Sequence, residues 1–274
     1  MIEVAAIAPD ETEGEQVKEN VLIAGVKNFF IEMSLLTKFT FRFFKEVFLP
    51  PYEFGELAKQ CYMVGYKSLP LVGITGFIMG LVLTIQSRAA LVDFGAVSML
   101  PGMVAVSLIR EIGPVITSLI CAGKTGSSIG AELASMKVTE QIDAMEVSGI
   151  NPFKYIVVTR VLATTLMIPL LVIFSDFIGI IGSYVAVNIK GHVNFHLFFT
   201  QAVSALGFTD VFPALIKTVF FGFAIGLIGC YKGYNSNKGT EGVGISANAA
   251  VVLGSLLIFI IDMIAVQLTS FFNY

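Results

Sequence analysis

The chain has 274 residues, 55% of them apolar and only 14% charged, with a mean hydropathy of +0.83. Twenty-four Phe, 26 Gly and ten Met in that length exclude an ordinary soluble domain, so membrane spans of about 20 apolar residues become the unit to count. The net charge of −3 says little, and three dispersed cysteines (Cys61, Cys121 and Cys230), none in a Cys-x-x-Cys, argue against a disulfide framework.

Residues 1–20 (MIEVAAIAPDETEGEQVKEN) are acidic and lack an apolar core, so they read as a flexible N-terminus rather than a signal or transit peptide. That favours a bacterial inner membrane over an organelle. Residues 21–67 read as an interfacial amphipathic region. The stretch 21–49 is long enough to span, but Lys27, Glu32, Lys38, Arg42 and Lys45 interrupt it, and each central charge costs roughly 2.5–3.5 kcal/mol on insertion. Phe29, Phe30, Phe41, Phe44 and Phe48 suit a helix lying at the headgroups, ended by Pro50-Pro51.

Residues 68–274 carry five apolar runs: 69–87, 103–123, 156–187, 211–231 and 247–272. The expected fold is all-α and polytopic, with an interfacial helix ahead of five spans. The third run is too long for one straight crossing, and Pro169 inside it predicts a kink. Gly76 and Gly80, Gly126 and Gly130, and Gly222 and Gly226 recur at four-residue spacing, which permits close helix approach in lipid. An odd number of spans weakens an inverted-repeat carrier. Seven Lys and Arg precede the first span, four lie between spans two and three, and Lys232 and Lys238 follow span four. The opposite side is left with Arg88, Lys190 and, at its margin, Lys217. A bias of 13 to 3 predicts a cytoplasmic N-terminus and an external C-terminus.

The stretch 137-KVTEQIDAMEVSGINPFKYIVVTR-160 puts six charges between two apolar runs. Thr139 reads as an N-cap, Gly149 as a C′ glycine and Pro152 as a stop, predicting a helix of about ten residues. Val138, Ile142 and Met145 form an apolar face; Glu140, Asp143 and Glu146 form an acidic flank. Anionic cytoplasmic leaflets attract basic helices. An acidic one is better read as a plug for a protein groove, through which a separate motor would move the membrane part.

The motor itself is not expected in this chain. The string 118-SLICAGKT-125 has Ser where a Walker A needs Gly and ends an apolar helix, and 233-GYNSNKGTEGVG-244 reads as a turn. His192 and His196 have a ligand-like spacing, but Val193 stands where a zinc protease needs Glu and no third ligand is near, so neither metal nor cofactor is expected. Charges within spans are functional suspects: Arg110, Glu111, Asp176 and Asp262. Arg110-Glu111, just before Gly113-Pro114, suits either an amphiphile headgroup or a structural ion pair. Asp176 and Asp262 read as structural hydrogen bonders, with proton carriage as the alternative.

The runs 108-LIREIGPVITSLICAGKTGSSIGAELASMKVTEQIDAMEVSGINP-152, 242-GVGISANAAVVLGSLLIFIID-262 and 64-VGYKSLPLVGITGFIMGLVLTIQ-86 closely resemble the MlaE (YrbE-like) permeases. These are the membrane subunits of ABC transporters that work with MCE-domain proteins. Lys124 stands where that family often has Arg. The resemblance implies a homodimer of five-span subunits, with a cytoplasmic ATPase docking on the loop helix through Glu140, Gln141, Asp143 and Glu146. It implies an MCE protein on the outer face and a phospholipid or similar amphiphile in a cavity at the dimer interface. Arg110 and Glu111 match the family's charged pair near that cavity, and Leu83, Leu91 and Phe94 fall where apolar lining is expected. The expected role is therefore a permease subunit without its own nucleotide site. The rival is a proton-coupled carrier of an amphiphile using Asp176 and Asp262; a third reading is an assembly scaffold.

Overall fold

A chain in lipid must pair its own main-chain groups, and here helices do all of that work among the described residues. The computed structural model describes the backbone of residues 11–189, 193–236 and 239–272. His192, Lys190 and Lys238 lie outside them. The chain divides into two units, Met1–Phe48 and Leu49–Tyr274.

In the first unit, α1 runs from Glu11 to Val47. Its last turn carries Lys45, favourable beside the helix C-terminus. Phe30, Phe41 and Phe44 are exposed on it, and Phe48 just beyond its end.

The second unit contains α2 (Phe54–Val64), α3 (Leu69–Asp93), α4 (Leu100–Ser107), α5 (Gly113–Cys121), α6 (Ser127–Val138), α7 (Gln141–Val147), α8 (Thr159–Ile189), α9 (Phe195–Ser204), α10 (Phe208–Tyr234) and α11 (Thr240–Phe272). Five continuous helical stretches are long and apolar enough to cross a membrane: 54–93, 97–138, 153–189, 208–234 and 240–271. All five were expected, yet the second runs fifteen residues further, to Val138, and the third begins three residues earlier, at Phe153. The two ends of the polar stretch 137–160 are therefore absorbed into the spans, and α7 with its flanks, residues 139–152, stands clear.

The second span is built in three pieces. Pro114 has no N–H and its ring crowds the carbonyl four residues back, so the α ladder cannot continue through Arg110. The chain answers with a π turn over Leu108–Ile112, closed by the Gly113 N–H donating to the Leu108 carbonyl. A second π turn covers Ala122–Gly126, and a third, Phe153–Val158, opens the third span.

Helix α8 is the hub, with α3 on one side and α10 on the other. Small residues make these seams. A Cβ at Gly80 would collide with the Gly179 carbonyl, so the α3 and α8 backbones touch there, and the Thr84 hydroxyl donates to Ser183 Oγ at 2.6 Å beside the contact. Gly222 and Gly226 meet Thr164 of α8, while Gly229 and Gly233 meet Gly126 and Gly130 at and beside α6. Val72, Cys121, Ile168, Leu171, Phe221, Ile225 and Ile258 close the core between them.

Two local expectations are corrected. Thr139 is not an N-cap: its hydroxyl donates back to the Ser135 carbonyl at 2.9 Å and finishes α6. The corner is turned instead by Glu140 in the left-handed region (φ 56°), and α7 has seven residues rather than ten. Gly149 does end it as expected. With φ 79° it sits at C′, where Gly149 N–H donates to Glu146 and Ile150 N–H to Met145, a Schellman pair. The segment between the third and fourth spans holds α9, capped by the Asn194 side chain accepting from the His196 N–H at 2.9 Å. Phe198 of α9 is buried with Leu100 and Val104 of α4.

Candidate functional site

Arg110, Lys217 and Asp262 lie inside the second, fourth and fifth spans, each at least nine residues from a span end. Lys217, placed at a span margin by its charge alone, is in fact a buried mid-helix cation of α10. Its ammonium donates to Glu111 Oε2 at 2.5 Å and to Asp262 Oδ1 at 2.9 Å, so one side chain ties the π turn, α10 and α11. Asp262 thus has the structural hydrogen bond expected of it.

Arg110 is held more loosely. Its guanidinium stands 3.9 Å from Glu111 and 3.8 Å from Asp210, beyond hydrogen-bond length, and its side chain is 43% exposed. Asp210 itself caps α10 through the Gly207 N–H at 3.0 Å. The five groups line a narrow pocket with Pro213, Ala265 and Thr269, except Asp262, which lies behind Lys217. That pocket opens on an apolar cleft of about 410 Å3 between α10 and α11, walled by Ile216, Phe220, Ile261, Ile264 and Leu268. Pro213, Lys217, Ala265 and Thr269 belong to both. A charged end joined to an apolar trough is the shape an amphiphile fills.

Sequence reasoning found Arg110 and Glu111 but not Lys217 or Asp210 as their partners; the charge of Lys217 inside an apolar run was the available signal. The apolar candidates lie elsewhere. Leu83 and Leu91 pack against the buried Leu100, Val104, Val187 and Phe198, and Phe94 is 83% exposed beyond the end of α3.

The second candidate surface is α7. Ile142 is buried and roots it, while Glu140, Gln141 and Glu146 are exposed. Asp143 is partly buried and pairs with Lys137 at 3.3 Å, which fixes α7 against α6. Val147 stands 91% exposed at its tip. Among the described residues no group of three His, Cys, Asp or Glu is placed to hold a metal.

Five spans with a charge cluster among three of them define a multi-pass membrane protein. The sequence profile of the family described as Permease MlaE matches residues 57–268, and the chain belongs to that family. A probable ABC transporter permease protein of Rickettsia typhi is 39% identical over 236 residues, 86% of this chain and 91% of its own. One of Synechocystis is 38% identical over 202 residues, covering 74% and 77%. The intermembrane phospholipid transport system permease protein MlaE of Haemophilus influenzae is 35% identical over 213 residues, covering 77% and 81%. The chain is thus an ABC transporter permease by family.

Proposed function

We propose that this permease moves phospholipid, or a similar amphiphile, between a bacterial inner membrane and an MCE-domain partner on its outer face, as a homodimer driven by a separate cytoplasmic ATPase. The observation that carries the reading is the junction of charged pocket and apolar cleft on either side of Lys217. Lys217 is saturated by two carboxylates, so it is Arg110, loosely paired and half-exposed, that offers its donors to a phosphate. Glu111 sets the turn from which Arg110 reaches. The cleft takes acyl chain by burial alone, at roughly 25 cal/mol per Å2 of apolar surface. The phospholipid named for the Haemophilus relative supports this substrate class.

Glu140, Gln141, Asp143 and Glu146 present α7 to the ATPase, with Val147 as an apolar tip. Closure of the ATPases pushes on α7, and the α7–α6 corner passes that push into the second span. The charge bias supports a cytoplasmic N-terminus and α7 and an external C-terminus. Helix α1, with its exposed Phe side chains, lies at the headgroups. The proton-carrier rival is weakened at Asp262, whose carboxylate is engaged by Lys217.

The test is a mild-detergent pull-down from native membranes, with mass spectrometry of proteins and lipids, beside a variant carrying Glu140→Lys, Asp143→Lys and Glu146→Lys. An ATPase and an MCE protein are expected with phospholipid, and the variant is expected to lose the ATPase alone. Retention of the ATPase despite reversed charges would remove α7 from the coupling role.

A further inference from the structure

Asp176 stands apart from the charge cluster. It sits in the middle of α8, 8% exposed, and among the described residues it makes no ion pair. Its Oδ1 is buried with no hydrogen-bond donor. The carboxyl borders an apolar cavity of about 310 Å3 walled by Ile109, Pro114, Ile173, Phe177, Val211 and Leu215. The charged groups on the elements around that cavity are Arg110 and Glu111 of the π turn and Asp210 and Lys217 of α10, which are engaged with one another or with Asp262, and Lys232 in the last turn of α10. On α8 itself Arg160 is four turns away and pairs with Glu132.

What does touch Asp176 is the π turn. Gly113 is so close that a Cβ there would overlap Oδ1, and the Leu108 carbonyl borders the same spot. Gly113 spends its N–H on Leu108, and Pro114, next in line, has none. The Leu108 carbonyl keeps a second lone pair beyond the one that Gly113 takes. An ionised carboxylate can only accept, and here it meets no donor and no cation, a costly state in lipid. A protonated acid donates one O–H. The Leu108 carbonyl, bordering the same spot, is what it meets.

We propose that Asp176 is held as the neutral acid and donates to the Leu108 carbonyl, clamping the π turn that carries Arg110 and Glu111. It is a positioning residue, acting on the headgroup contact through the turn. That consequence rests on the reading of Arg110 above; the protonated acid does not. Proton carriage makes the opposite demand on the same side chain. A carrier must release its proton, so Asp176→Asn would abolish it, whereas a clamp keeps working because the amide N–H replaces the O–H.

Two measurements on the full-length protein test it, with Asp176→Asn and the similarly sized but donorless Asp176→Leu. The infrared difference spectrum of wild type against Asp176→Asn at neutral pH is expected to show the band of a protonated carboxylic acid; its absence overturns the proposal. Phospholipid retained through purification is expected within about two-fold of wild type in Asp176→Asn and roughly ten-fold lower in Asp176→Leu, the scale of one unmade buried hydrogen bond. An Asn variant as depleted as the Leu variant overturns the donor role and points to proton carriage. Should wild type itself retain no phospholipid, the headgroup reading fails, and the infrared band alone decides Asp176.

Discussion

Replacing Lys217 by Met tests the charge cluster most directly. Methionine matches the lysine stem in bulk and removes only the ammonium. The Asp262 pair, at 2.9 Å and with the acid 20% exposed, keeps most of a charge-assisted bond, about 2 kcal/mol. The Glu111 pair is shorter, at 2.5 Å, but Glu111 is 39% exposed, so solvent discounts it to about 1 kcal/mol. Lys217→Met is thus expected to destabilise by about 3 kcal/mol, at the lower end for breaking a buried pair and leaving its partner charged. Adding Glu111→Gln and Asp262→Asn should recover most of the loss, since a neutral trio has no charge left to strand. The assay is SDS-titrated unfolding in mixed micelles, followed by circular dichroism. A single-variant loss below about 0.6 kcal/mol, the average for an interhelical hydrogen bond in lipid, would refute the reasoning. So would a triple variant no more stable than the single one.

Other expectations use the same assay. Glu140→Gly should stabilise by roughly 0.5–1 kcal/mol, because a left-handed backbone is costly for a residue with a Cβ; a loss would show that the Glu side chain matters more than the strain. Gly80→Leu should prevent assembly or cost more than about 3 kcal/mol by forcing α3 off α8, whereas Gly55→Ala, with nothing within 4 Å of its Cβ, should be harmless. Equal effects would refute the backbone seam. Arg160 is 4% exposed and bonded to Glu132 at 2.8 Å, but Glu132 is 50% exposed, so Glu132→Gln is expected to cost about 1 kcal/mol. Combined with Arg160→Met, the loss should fall well short of the sum; simple additivity in that double-mutant cycle would mean the pair does not couple α6 to α8.

The spans were legible because lipid demands long apolar runs, and the Gly-x-x-x-Gly spacings marked the seams correctly. Gly149 was legible because only a residue without a Cβ takes φ 79° easily. Thr139 misled because Thr hydroxyls close a helix by back-bonding as readily as they open one. The charge cluster was half visible. Arg110-Glu111 announce themselves by adjacency, but Lys217 reaches Glu111 across 106 residues and Asp262 across 45, and no local pattern encodes such pairings. A hydrogen bond was expected for Asp176, and no donor stands beside its Oδ1. The ends of spans two and three were misjudged for another reason: Lys154 and Arg160 read as loop charges, yet both are buried, Lys154 donating to the Leu49 carbonyl and Arg160 holding Glu132.

The π turn at Leu108–Ile112 holds one residue more than an α-helical turn needs. That surplus sets the azimuth of everything after it. Deleting one residue from the turn would rotate the upstream part of the span by about 100° relative to α5. Arg110 and Glu111 would swing away from α10, while α5 and α6 kept their places against α8 and α10. The turn is therefore a phase-setter. It lets one face of the span serve the packed core and a different face serve the pocket, and a single-codon deletion there would separate fold from activity more cleanly than any substitution.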